Sequence, residues 1–260
     1  MHKETRMLTA KDLSIGYSQK TIASNINIEL ASGKLTAVIG VNGSGKSTLL
    51  KSLSGELPLK KGTVNLLEKP LNSYSQKSIS EHISIVLSNP VFSSNLSVYE
   101  LIALGRHPYT NWLGVLNETD HQAVDQAMRQ VEIEDLAERN CSHLSDGQLQ
   151  KVFIARALAQ NTEIILLDEP TNHLDLYHKA FVFRLLKRLT RETDKSILFA
   201  THELNLALQL CDSLILVTNS EIYQAAPKEL IQSDKLQNLF PADLIRFDAD
   251  SVSFKIQHED

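Results

Sequence analysis

Three stretches of the chain combine residue types and spacings that can do chemistry. The first is GVNGSGKST, Gly40 to Thr48. Gly40, Gly45, Lys46 and Ser47 satisfy G-x-x-x-x-G-K-[ST], a phosphate-cradling pattern, and Asn42, Gly43, Ser44 and Thr48 complete the run. Glycines let the backbone turn tightly and aim N–H groups at phosphate oxygens. A helix starting there adds the positive end of its dipole. Lys46 is then placed to reach β- and γ-phosphates, and the Ser47 hydroxyl to ligate Mg2+. The plain alternative is a glycine turn with a chance lysine. The apolar run before it and the helix-like run after it weigh against that.

The second stretch is IILLDEP, Ile164 to Pro170. Four apolar residues read as a buried strand that delivers two carboxylates at its carboxyl end, where open α/β sheets bind ligands. Asp168 suits Mg2+, directly or through water, and Glu169 suits the general base for a water attacking a γ-phosphate. Alone, such a pair reads better as solvated charge at a strand end; beside a phosphate loop the functional reading wins. The third stretch is LSDGQLQK, Leu144 to Lys151, in which Ser145 can cap a helix and Gly147 keeps the backbone accessible. A helix cap after a loop explains it in isolation. Its position between the other two motifs argues for more.

Elements that could position these residues are visible as periodicity. Leu8 to Tyr17 and Ile22 to Leu30 alternate partially and read as strands of a small antiparallel unit. Leu35 to Val41 suits a strand buried on both faces, and Lys46 to Leu53 a helix. Gly62 to Leu67 and Ile83 to Leu87 are further strand candidates. From about residue 89 to 160 the pattern is mainly helical, with apolar spacing at Val98 to Leu104 and at Asp120 to Val131. Strands return at Glu163 to Leu167, Ser196 to Ala200 and Ser213 to Val217, with helices expected at Leu174 to Leu189 and Glu203 to Leu210. Strands alternating with helices imply a parallel α/β sheet. The last residues, Phe247 to Asp260, read as a short strand and a frayed acidic end.

Composition sets outer bounds. The 260 residues are 42% hydrophobic and 22% charged, which excludes disordered and collagen-like architectures. Twenty-six basic and 31 acidic residues give a formal charge of -5, an argument against broad nucleic-acid binding. Cys141 and Cys211 cannot build a disulfide framework, so they read as small buried hydrophobes in a reducing compartment. No run reaches the ~18 apolar residues of a membrane span, and the N-terminus lacks a signal-peptide core. The expectation is a cytosolic chain that docks onto a separate membrane protein if it serves a membrane process.

Taken together, the three motifs resemble the nucleotide-binding subunit of an ABC transporter over nearly the whole length. The resemblance implies ATP and Mg2+ as ligands and a P-loop ATPase α/β core with a parallel sheet, an antiparallel β subdomain and an inserted α-helical subdomain. It implies one domain over 1–260, with 1–88 and 161–260 as core and 89–160 as the insert. It places Tyr17 where the family stacks an aromatic on adenine, and His202 where a histidine contacts the γ-phosphate. Ser145, Asp146, Gly147 and Gln148 match a signature that usually reads LSGGQ, which acts in trans on the ATP of a second copy. Asn172 to Asp175 matches the loop that communicates across that dimer, with Asp175 as its dimer-loop residue. One position departs: where the family has a glutamine contacting Mg2+ and the attacking water, this chain has Ser88, followed by Asn89.

Within the family, NLSVYELIALGRHPYTNW, Asn95 to Trp112, is similar to ATPases of the iron-siderophore, haem and vitamin B12 importers. That likeness implies a permease dimer as partner, a solute-binding protein upstream, a peripheral place on the cytoplasmic face of the inner membrane, and no nucleic-acid partner. Rivals are another ABC importer or an exporter, and a soluble ABC ATPase. DNA-repair types carry long coiled coils between the halves of the site, and translation-factor types carry two cassettes in one chain.

Overall fold

The computed structural model describes residues 5–18, 20–93, 95–218, 221–240 and 244–256. The first four residues and the acidic end expected at 257–260 lie outside the described residues. The chain opens on β1 (Arg6–Tyr17) and β2 (Lys20–Ala31), then enters β3 (Leu35–Gly40) and α1 (Lys46–Leu53). β4 (Lys61–Leu66), β5 (Lys69–Pro70), α2 (Gln76–His82) and β6 (Ile83–Val86) follow. Three helices come next: α3 (Val98–Ala103), α4 (Glu118–Val131) and α5 (Asp146–Ala159). Then come β7 (Ile164–Asp168), α6 (Leu176–Thr193), β8 (Ser196–Thr201), α7 (Leu204–Leu210) and β9 (Ser213–Val217). β10 (Ile222–Ala225), α8 (Pro227–Ile231), β11 (Ile245–Asp248) and β12 (Ser253–Ile256) complete it.

The central sheet runs β10-β9-β3-β8-β7-β6, parallel except for β10 at one edge. Its inner strands β3, β8 and β7 are mainly apolar because both faces of the sheet are covered. The period of two sorts their side chains between two cores. Leu35, Ala37 and Ile39 of β3 join Ile197 and Phe199 of β8 in the core shared with α3, α4, α5 and α6. Val38, Leu198 and Ala200 join the other core, shared with β1, β2 and α1. The antiparallel sheet β2-β1-β4-β5 covers that second core. Gln224 of β10 links the two sheets through hydrogen bonds of 2.8 Å to the backbone of Glu29.

The inserted helices are anchored locally. Ser97 with Glu100, Asn117 with Asp120, and Ser145 with Gln148 each form reciprocal capping boxes at the starts of α3, α4 and α5. Arg106, buried, donates to Asp120 at 2.8 Å and to the Ala159 carbonyl at 2.7 Å, which ties the segment after α3 to both later helices. A Cβ at Gly105 would lie 2.2 Å from the Arg156 carbonyl oxygen, so this glycine permits the close approach. The Gly-Arg element thus holds the insert together.

Five elements have no counterpart in the sequence reading: β5, α2, β10, α8 and β11, the last because one terminal strand was expected and two pair there. All are short and weakly patterned. α6 begins at Leu176, two residues later than expected, because the Asp175 side chain accepts the His178 amide and caps the helix there.

Candidate functional site

β3 feeds directly into the loop that turns into α1. Gly40 passes so close to β9 that a Cβ there would lie 2.3 Å from the Val217 carbonyl oxygen. Gly45 has a left-handed φ of 109°, and a Cβ on it would lie 2.6 Å from Ile22 Cγ2. Gly45 caps α1 without any side-chain hydrogen bond, so the first amides of the helix remain available to an outside acceptor. Ser44 Oγ is buried without a hydrogen-bond partner. An orphan hydroxyl beside uncapped helix amides fits a ligand rich in anionic oxygens, as a polyphosphate is.

Lys46 is only 4% exposed. Its Nζ donates to the carbonyls of Gly40 at 3.1 Å and Val41 at 3.2 Å and lies 3.3 Å from His202 Nδ1. Burial lowers the Lys46 pKa, and the carboxylates of Glu169 and Asp168 oppose that. Two carbonyl dipoles therefore hold an ammonium that an anionic ligand would satisfy better.

β7 ends at Asp168, whose Oδ1 accepts the Ser47 hydroxyl at 2.9 Å. Burial raises the Asp168 pKa; the Ser47 hydrogen bond, Lys51 and Lys46 counteract it, and Glu169 adds to it. A hydroxyl beside a partly buried carboxylate suits a hard divalent cation. Among the described residues no group of three or more His, Cys, Asp or Glu stands ready for a metal. Mg2+ takes most of its ligands from phosphates and water, so a hydroxyl and one carboxylate from the protein are chemically sufficient for it.

Glu169 follows in a left-handed conformation, φ 50°, which costs a non-glycine residue about 1–2 kcal/mol. Its N–H still donates to the Ala200 carbonyl at 3.1 Å, while the turn lifts its carboxylate off the strand. That carboxylate lies in hydrogen-bond contact with His202 Nε2 and accepts the Asn172 amide at 2.6 Å. Lys46, His202, Glu169 and Asn172 thus form one continuous network across the carboxyl ends of β3, β7 and β8. A carboxylate so held can take a proton from a water beside a phosphoryl group.

The remaining residues singled out in the sequence lie around this centre. Tyr17 ends β1 opposite Lys20, 47% exposed, on the hairpin whose Ile22 backs Gly45. Ser88 is half-buried and Asn89 exposed in the segment after β6. Leu87, just before them, lines a cavity of about 20 Å3 together with Ser47, Lys51 and Asp168. Ser145 and Gln148 close on each other, with Gln148 N–H donating to Ser145 Oγ at 3.3 Å and Ser145 N–H to Gln148 Oε1 at 3.1 Å. Asp146 is exposed in the first turn of α5, and Gly147 packs on His178 of α6. The structure brings Lys46, Ser47, Asp168, Glu169 and His202 together; the contacts of Ser145 to Gln148 are with each other and with α6.

Comparison with known proteins matches this geometry to a family. The sequence pattern of the ABC transporter family fits residues 23–172. The achromobactin transport ATP-binding protein CbrD of Dickeya dadantii is 40% identical over 237 residues, 91% of this chain and 88% of its own length. The iron(3+)-hydroxamate import ATP-binding protein FhuC of Bacillus subtilis is 38% identical over 237 residues, again 91% of this chain and 88% of its own. Among solved structures, a transporter assigned to the metal-chelate type, in an inward-facing conformation, superposes with a TM-score of 0.80 at 29% identity, covering 90% of this chain and 89% of that one. The chain belongs to the ABC transporter family.

It is an ATP-binding, ATP-hydrolysing subunit, and ABC ATPase subunits of importers work with membrane permease partners. No helix among the described residues is long and apolar enough to cross a membrane. Three site contacts of this ABC ATPase were not legible beforehand. Asn172 steadies Glu169; Lys179 of α6 pairs with Glu203, next to His202, at 2.6 Å; and the His178 ring fills the space beside Gly147. The only sequence signal for the first was its place three residues after Glu169.

Proposed function

We propose that two copies of this chain close head to tail over two ATP molecules and thereby drive import of an iron-siderophore, haem or cobalamin-type metal chelate. The observation that carries the catalytic half is the Lys46–His202–Glu169–Asn172 network beside the Ser47–Asp168 pair. The names of the relatives support the metal-chelate class of solute.

In this reading the amides of Asn42 to Thr48 and the Lys46 ammonium bind the β- and γ-phosphates, and Tyr17 stacks on adenine. Ser47 and Asp168 hold Mg2+, which when bound neutralises charge on the phosphoryl oxygens. Lys46 leaves the Gly40 and Val41 carbonyls for the phosphates. Glu169 orients a water and accepts its proton, while His202 donates toward the γ-phosphate and Asn172 keeps the carboxylate aimed. Ser145 to Gln148 of the other copy complete the site from the far side, and Asp175 lies in the loop between the two. The Ser88–Asn95 segment and α3 then pass closure to a permease dimer on the cytoplasmic face of the membrane, with a solute-binding protein delivering the chelate outside and no nucleic acid involved.

Uptake of radiolabelled iron–siderophore by cells lacking the gene tests this. Restoration by the native chain but not by Glu169→Gln is expected. Normal uptake without the gene overturns the iron reading and leaves the ATPase assignment standing.

A further inference from the structure

The ATPase chemistry makes no use of Gly105 and Arg106, yet both are built into the insert by close contacts. Arg106 is 6% exposed and its partner Asp120 1%. A buried ion pair of this kind adds little net stability, because desolvating both charges costs about as much as their attraction returns. Packing is supplied without it: Val98, Leu101 and Ile102 of α3 lie in the same apolar cluster as Val152 and Phe153 of α5. Apolar packing is non-directional, whereas a guanidinium fixes direction by serving different acceptors with different nitrogens. Here Nε donates to Asp120 of α4, and Nη1 to the carbonyl of Ala159 in the last turn of α5, a turn whose carbonyls run out of helical amides. The guanidinium also lies over the Tyr109 ring, 4.1 Å from its centre. The end of α5 that receives Arg106 is itself pinned to the core. Gln160 Nε2 donates to the carbonyls of Ser80 at 2.6 Å and Ile83 at 3.2 Å, where α2 gives way to β6.

We infer that Arg106 is a positioning residue for coupling: it fixes the end of α3, the helix proposed to meet the permease, to α5, the helix that begins at the signature turn, so that the two respond together when ATP closes the dimer. This rests on the reading that Ser145 to Gln148 meets ATP across the dimer. α5 then carries the effect of closure along its length from Ser145 to Ala159, and Arg106 passes it to the segment that follows α3. Gly105 belongs to the same joint, because its missing side chain lets the chain lie against the Arg156 carbonyl one turn earlier in α5. A lysine at 106 keeps the charge but has one nitrogen for acceptors on two helices.

Hydrogen–deuterium exchange with and without Mg-ATP, in a Glu169→Gln background, reads this coupling with Arg106 present and with Arg106→Lys. ATP-driven dimerisation, and kcat and KM for ATP measured with Glu169 in place, are expected to stay within about twofold of native in Arg106→Lys, since Arg106 touches neither the phosphate loop nor the signature turn. With Arg106 present, Mg-ATP is expected to slow exchange roughly tenfold both at 146–150 and at 98–109. With Arg106→Lys the slowing at 146–150 should remain, and that at 98–109 should shrink to less than about twofold. Equal slowing at 98–109 in both proteins means that apolar packing alone carries the coupling and overturns the inference. A loss of kcat or of the dimer in Arg106→Lys makes the residue a support of the ATPase site and overturns it too. If Arg106→Lys does not fold, Arg106→Met with Asp120→Asn removes both charges, keeps an acceptor for the Asn117 amide at the start of α4, and is judged by the same outcomes. The two levels separate in the Glu169→Gln control. No ATP-driven dimer there removes the cross-dimer reading and the inference with it; a dimer without any response at 98–109 removes the inference alone.

Discussion

The phosphate loop and the signature turn are both helix N-termini, but they are built in opposite ways. The loop before α1 has no side-chain cap, buries its lysine and leaves the Ser44 hydroxyl without a partner. The turn before α5 is exposed, and Ser145 and Gln148 satisfy each other in a closed capping box. One end is held open by the surrounding sheet, with buried charges that lack their best partner. The other is self-sufficient and can meet a ligand only by exchanging its own hydrogen bonds. The contrast is what the proposed two-copy site asks for: one helix start that can take a nucleotide by itself and one that would meet it only from a second copy.

Substitutions can break this contrast from either side. The largest effect falls on the loop side. Glu169→Gln keeps the shape and the Asn172 contact but cannot accept a proton, so turnover should fall about 10²–10⁴-fold in a phosphate-release assay while ATP binding survives. Retained turnover removes Glu169 from the mechanism. On the signature side, Ser145→Arg fills the turn with a bulky cation. It should abolish ATP-driven dimerisation in size-exclusion chromatography and leave nucleotide binding by the monomer untouched.

Asp168 gives a prediction of opposed signs. Burial raises its pKa, so the folded state holds the proton more tightly than the unfolded one. The nucleotide-free chain therefore loses stability from this group as pH rises from its ordinary range through the raised value, and carries that penalty at neutral pH. Asp168→Asn should raise the melting temperature without nucleotide and remove the added stabilisation that Mg2+ gives over ATP alone. A lower melting temperature without nucleotide contradicts the burial penalty.

Smaller effects sharpen the picture. Ser88→Gln puts a longer amide next to Leu87, which lines the Ser47–Asp168 cavity, and one new hydrogen bond of about 1 kcal/mol should raise hydrolysis about fivefold. No change shows that Leu87, which occupies that cavity wall, keeps the amide out. The smallest shift is expected at Asp146. Its charge sits at a helix N-terminus that is to face phosphate, and such a charge is worth about 0.3–1 kcal/mol. Asp146→Gly should tighten the ATP-bound dimer by about two- to fivefold, measured by analytical ultracentrifugation.

The cluster at the carboxyl ends of the parallel strands was legible because each part announces itself locally. Gly40 to Thr48 and Ile164 to Pro170 couple an apolar strand to polar residues at its carboxyl end, and the parallel sheet brings those ends together. The chain order of motifs marked the fold. What stayed hidden depends on contacts between segments distant in sequence. Nothing about His178 in isolation says that its ring meets Gly147, 31 positions earlier in the chain. Nothing in QKSISEH has the amphipathic stripe of a core-facing helix, since α2 buries Ile79 alone. The strand IYQA at β10 is too short for alternation to register and is fixed by its antiparallel pairing with β9.

Complementation between two inactive chains tests the shared site most directly. In a Glu169→Gln background, Lys46→Ala destroys the phosphate loop and Ser145→Arg destroys the signature. Mixed, the two can form a heterodimer with one ruined site and one in which an intact loop faces an intact signature. Each chain alone should remain monomeric in size-exclusion chromatography with Mg-ATP, and the mixture should yield a dimer that retains ATP. A mixture that stays monomeric, under conditions where Glu169→Gln alone dimerises, would contradict a site built from two chains.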